Sequence, residues 1–107
     1  MKTHVKKLIP ARKSKLLILP MKWIKSNNVK SIGITEVKGR LILKPVEDGK
    51  KLIKFGTSLG VILPKKWLKR QAEQLDMDLD EMEWEIEEKE DKLIVKPCLG
   101  EGGQKKK

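Results

Sequence analysis

At 107 residues and 38% hydrophobic content, the chain suits one domain with a modest core, and no stretch approaches the roughly 18 apolar residues of a membrane span. One cysteine, Cys98, excludes an intrachain disulfide and a cysteine-cluster metal site, and His4 is the sole histidine, so no Cys–His pairing for nucleophilic catalysis stands out. The formal net charge of +10 points instead to an anionic partner.

The charge is sorted along the chain. Residues 1–25 carry Lys2, Lys6, Lys7, Arg12, Lys13, Lys15, Lys22 and Lys25 and no acid. Arg12, Lys13 and Lys15 also interrupt the apolar part of what would otherwise start like a secretory leader, so a cytoplasmic protein is expected. Residues 51–72 are again basic without an acid, whereas residues 73–91 hold Asp and Glu against Lys89 alone. A surface charged only for solubility would mix the signs.

The two basic segments belong to an internal repeat. Residues 16–25 read LLILPMKWIK and residues 60–69 read GVILPKKWLK, aligning Pro20 with Pro64 and Trp23 with Trp67. Upstream, Lys6-Lys7-Leu8-Ile9 recurs as Lys50-Lys51-Leu52-Ile53. Downstream, Arg40–Pro45 recurs as Lys92–Pro97, displaced by an eight-residue insertion in the second copy. The boundaries are 5–46 for repeat one, 46–50 for a connector, and 50–98 for repeat two. Together they make a single domain over 1–98, and 99–107 reads as a disordered basic tail.

In chain order, Val5–Ile9 is expected as a strand, 10–15 as a basic loop, and Leu16–Leu19 as a buried strand. Pro20 suits the first position of a helix of two turns ending before Asn27-Asn28. Ile32, Ile34 and Val37 lead into a Lys38-Gly39 turn and a return strand, Leu41–Pro45. The second copy repeats this order: Lys51–Phe55, a loop at 56–59, Gly60–Leu63, and a helix from Pro64 to about Leu75 with Trp67, Leu68, Gln71 and Leu75 on one side. Met82, Trp84 and Ile86 then alternate with Glu83, Glu85 and Glu87, a half-buried strand with an acidic outer face that returns as Lys92–Pro97.

Clustered cations are what phosphate contacts need. Lys6, Lys7, Arg12, Lys13 and Lys15 form one cluster, and Lys50, Lys51 and Lys54 its second copy. Lys22, Lys25, Lys66 and Lys69 on the helices are flanking candidates. Trp23, Trp67 and Trp84 sit in apolar patterns and are expected in the core. Asp76, Asp78 and Asp80 have the start of a calcium-loop spacing, but Glu81 and Glu87 stand where that loop requires Gly and Glu, so no metal is expected. Nucleophile–base pairs, phosphate-binding Gly loops and zinc spacings are absent, so the chain does not read as an enzyme and no cofactor is expected.

Lys54-Phe55-Gly56-Thr57-Ser58, Val61-Ile62-Leu63-Pro64-Lys65-Lys66 and Asp91–Pro97 together resemble the AbrB/MazE/SpoVT swapped-hairpin DNA-binding family over about residues 50–97. The first repeat looks like a degenerate copy that lacks the loop Gly. The resemblance implies a mainly β fold with short helices. It would be a swapped-hairpin AbrB-like β-barrel formed as an intrachain pseudo-dimer of two strand-loop-strand-helix-strand-strand repeats, similar to the tandem MraZ proteins. Lys54, Thr57 and Ser58, with Arg12 and Lys13 in the other copy, would touch double-stranded DNA. The expected role is a transcriptional regulator or nucleoid-associated protein, acting as a monomer or as a homodimer of such units. An antitoxin that also binds a toxin, or a non-enzymatic protein-interaction module, is the alternative. Two departures stand out: Ile18 and Ile62 replace an Arg common two residues before the helix Pro, and Asp80-Glu81 replaces a Gly-Asp turn.

Overall fold

The Ile-Leu-Pro junctions set the local geometry of both halves. In a computed structural model that describes residues 2–11 and 14–98, Pro20 and Pro64 adopt φ −64° with ψ 122° and 127°. Each stands one residue before its helix rather than in the first helical position. Its carbonyl accepts the first helical bond, from Ile24 N at 3.1 Å and from Leu68 N at 3.1 Å. Helix α1 spans Met21–Ser26 and stops where Asn27 Nδ2 donates to the Trp23 carbonyl at 3.0 Å. Helix α2 spans Lys65–Leu75 and ends in Asp76 with φ 53°.

The described residues also form ten strands: β1 Lys2–Lys7, β2 Ile9–Ala11, β3 Ser14–Ile18, β4 Ser31–Val37, β5 Arg40–Pro45, β6 Lys50–Lys51, β7 Ile53–Phe55, β8 Ser58–Ile62, β9 Glu83–Glu88 and β10 Leu93–Pro97. The single strands expected at Val5–Ile9 and Lys51–Phe55 are each divided in two. Leu8 and Leu52 stand at the breaks, half-buried against the core, and let the chain pass from one sheet to the other. The loops expected at 10–15 and 56–59 are also shorter, because Pro10 and Lys15 pair across β2–β3 and Ser58 pairs with Phe55.

One sheet has the order β1-β9-β10-β5-β4-β6 and the other β2-β3-β8-β7, both antiparallel. Replacing each strand by its counterpart in the other repeat gives the same two orders read backwards. The first strand of each repeat pairs with the closing hairpin of the other: Lys6 lies opposite Trp84, and its counterpart Lys50 lies opposite Ile32. The ladders form two sheets rather than one closed barrel, because pairing is interrupted at Leu8 and Leu52.

The inner faces share one core. Leu17 and Val61 come from the small sheet, Leu19 and Leu63 from just past its strands, Ile32, Leu41, Leu43, Trp84, Ile86, Leu93 and Val95 from the large sheet, and Trp23, Ile24, Trp67 and Leu68 from the helices. Trp67 and Trp84 meet with ring centroids 5.2 Å apart, and Trp67 Nε1 donates to the Gly39 carbonyl at 3.2 Å. Gly39, at φ 80°, follows Lys38 at φ 51° in the β4–β5 turn, the two positive angles that a tight hairpin of this hand requires.

Candidate nucleic-acid interface

Strand pairing decides what the basic residues can do. Lys6 and Lys7 are consecutive on β1, so their side chains leave opposite faces of the large sheet, as do those of Lys50 and Lys51 on β6. All four are exposed. The two copies differ electrically, however. Lys7 lies opposite Glu83, in a strand whose other outward residues are Glu85 and Glu87, whereas its counterpart Lys51 lies opposite Ser31. Lys96 Nζ approaches Glu85 at 3.8 Å and Lys89 Nζ approaches Glu87 at 3.6 Å, so the acidic strand neutralises lysines within its own sheet.

The small sheet gathers more of the candidates. The β3–β8 ladder is centred on Leu17↔Val61, and it continues through Leu19 N to the Leu59 carbonyl at 2.9 Å and Leu63 N to the Lys15 carbonyl at 3.2 Å. Each end of this sheet therefore joins the hairpin of one repeat to the helix start of the other. At one end the β7–β8 hairpin, with exposed Lys54, Phe55 and Thr57 and half-buried Ser58, stands beside the start of α1, which carries exposed Lys22 and Lys25. At the other end, Ser14 and Lys15 stand beside the start of α2, with exposed Lys65, Lys66 and Lys69. Arg12 and Lys13 lie outside the described residues. Ser14 and Ser58 are each three residues from the central pair, so the two ends are roughly 20 Å apart at about 3.3 Å per residue.

Lys15 differs from the rest. Its Nζ donates to Asp80 Oδ1 at 2.7 Å, and its side chain retains 24% exposure. Asp80 belongs to the insertion that only the second repeat has, so this extra segment reaches back to occupy a cation of the first. Arg70 on α2 is engaged in the same way by Glu36, at 2.6 Å.

Between its two ends, the outer face of the small sheet is apolar. Ile9, Ile18, Ile53 and Ile62 share it by strand alternation with Leu16, which is itself fully buried and packs over Gly60, and none of them is part of the inner core cluster. Phe55 also points to this side and is 51% exposed. The sequence signalled Phe55 only as part of a loop motif. Its exposure follows from β7 being an edge strand, which composition does not reveal. By the same alternation Lys15 and Lys54 leave the opposite side of the sheet, so this face carries no charged side chain along its middle. Comparison with protein-family models, with curated proteins and with solved structures gave no match.

Proposed function

We propose that this protein binds double-stranded DNA through the two ends of the small sheet and the adjoining lysine-bearing strands, as an intrachain pseudo-dimer of the AbrB/MazE/SpoVT swapped-hairpin type. The carrying observation is the register: Lys6-Lys7 and Lys50-Lys51 occupy equivalent places in strand orders that read the same from either end. A pseudo-two-fold protein presents two related cationic ends, and a duplex offers two related strands to receive them. The roughly 20 Å between Ser14 and Ser58 falls within one turn of about 34 Å, so both ends address the same short stretch of duplex.

In this reading Lys54, Thr57, Lys22 and Lys25 serve one end and Lys66 the other, with Lys69 further along α2, while Arg12 and Lys13, outside the described residues, are candidates from the sequence alone. Lys6, Lys7, Lys50 and Lys51 widen the cationic surface. Ser58 positions the hairpin, and Lys15 is held by Asp80 rather than presented to phosphate. Without charged groups on the middle of the sheet, affinity comes from phosphate contacts, which suits a cytoplasmic regulator or nucleoid-associated protein. No helix among the described residues is long and apolar enough to cross a membrane.

A salt titration of duplex binding tests the reading. The log of the binding constant is expected to fall linearly with log salt, and each phosphate contact removed by a Lys→Ala change lowers the slope by about 0.9. Affinity that is flat between low and moderate salt would remove the mechanism.

A further inference from the structure

Building on the DNA-binding reading, we infer that the tip of the β7–β8 hairpin enters the major groove and that Phe55 contacts thymine methyl groups there. Phe55 is the only phenylalanine of the chain and leaves 51% of its surface in solvent, with Ile53 beside it on the same face at 41%. Large apolar side chains ordinarily go to the core, and this chain buries all three of its tryptophans. Val5, Val37, Val46 and Met77 are exposed to a similar degree, but Ile53 and Phe55 stand two residues apart on one face of a hairpin, and that shared face is what marks them as a contact surface.

The backbone allows the entry. The β3–β8 ladder ends at Ile18↔Gly60, with one further bond from Leu19 N to the Leu59 carbonyl, so the Phe55↔Ser58 pair and the Gly56–Thr57 turn stand as a ribbon of two strands. Two strands about 5 Å apart fit a groove about 12 Å wide, whereas the whole four-stranded sheet does not. Gly56 has φ 64°, and a Cβ there would meet nothing within 4 Å, so the turn is open on that side.

The surrounding charge favours DNA as the occupant. Lys54 lies between Ile53 and Phe55 in the chain and leaves the opposite face of the ribbon, still exposed, and Lys22 and Lys25 are carried by the helix whose preceding Leu19 bonds to β8. No acid lies on the ribbon itself. Phe55 has neither donor nor acceptor, so it reads no base edge by hydrogen bonding. The apolar feature of the major groove is the thymine C5-methyl group. At the equivalent place in the first repeat stands Ala11, whose single methyl offers far less apolar surface, so the preference is stronger at one end of the pseudo-dimer and makes the bound site asymmetric.

The test compares two duplexes of one A·T-containing sequence, one with thymine and one with uracil in its place, across a salt series by fluorescence anisotropy. The thymine duplex is expected to bind about fourfold more tightly per methyl group covered, with an unchanged salt slope. Phe55→Ala should remove most of that difference and Phe55→Leu should keep it, with thermal unfolding of both variants close to that of the unchanged protein. Equal affinity for the two duplexes, or a preference that survives Phe55→Ala undiminished, overturns this inference and leaves DNA binding standing. Absence of salt-dependent binding to either duplex overturns both.

Discussion

Leu17 and Val61 face each other across the β3–β8 ladder, and each is the other's counterpart in the repeat. Ile42 and Ile94 stand in the same relation across β5–β10. The local two-fold relation thus passes through two pairs of equivalent residues, one in each sheet, and everything between them is core built jointly by both repeats.

Such a core unfolds as one body. Leu17 is fully buried, so Leu17→Ala is expected to cost about 2–5 kcal/mol. Calorimetry should still show a single transition, shifted to lower temperature, because neither repeat retains a core alone. Two resolved transitions would contradict the interleaved pairing.

The relation is broken at the next residue. Leu16 has Gly60 as its counterpart, and a Cβ on Gly60 would lie 2.6 Å from the Leu17 carbonyl oxygen and 3.1 Å from Leu16 Cδ1. The two positions are fitted as large against small. Gly60→Ala should therefore destabilise by about 1–3 kcal/mol, read as a lower denaturation midpoint, since backbone rather than a flexible side-chain end obstructs the methyl group. An unchanged midpoint would show that the strands separate there at no cost.

The tryptophans differ in the same manner. Trp67 Nε1 has the Gly39 carbonyl at 3.2 Å, while Trp23 Nε1, its counterpart, is buried without a hydrogen-bond partner among the described residues. Trp→Phe removes similar area at both positions. Trp67→Phe additionally orphans a carbonyl, so it should cost about 1 kcal/mol more than Trp23→Phe in urea unfolding. Equal losses would mean that the Gly39 contact contributes nothing.

Asp80 is the simplest handle on the proposed DNA surface. Asp80→Ala releases Lys15, and duplex affinity at low salt is expected to rise with a log–log slope steeper by up to about 0.9. Lys15→Ala alone should change affinity less than Lys54→Ala, whose cation is exposed. The reverse ranking would place Lys15, not Lys54, against phosphate.

Much was legible before the tertiary structure, because it is encoded locally. The repeat, the alternation of Trp84 and Ile86 with glutamates, the apolar run ending in Pro, and the Lys38-Gly39 turn each depend on a few neighbouring residues. Strand partners do not. β1 is too short and too polar for a period of two to tell which of its sides faces inward, and only folding brings Lys7 beside Glu83, leaves Val5 exposed opposite Glu85, and puts Lys51, the twin of Lys7, beside Ser31. In the same way, Leu8 and Leu52 read as ordinary strand residues until two sheets compete for one segment and the ladder breaks there. Asp80 finds Lys15 because the insertion after α2 folds back over the other repeat. Phe55 remains in solvent because its strand is an edge with nothing beyond it in the sheet. By itself the sequence determined that two alike halves would form strands, helices and a shared core. Tertiary structure decided which halves exchange strands and which cations stay exposed, since both depend on contacts between residues far apart in the chain.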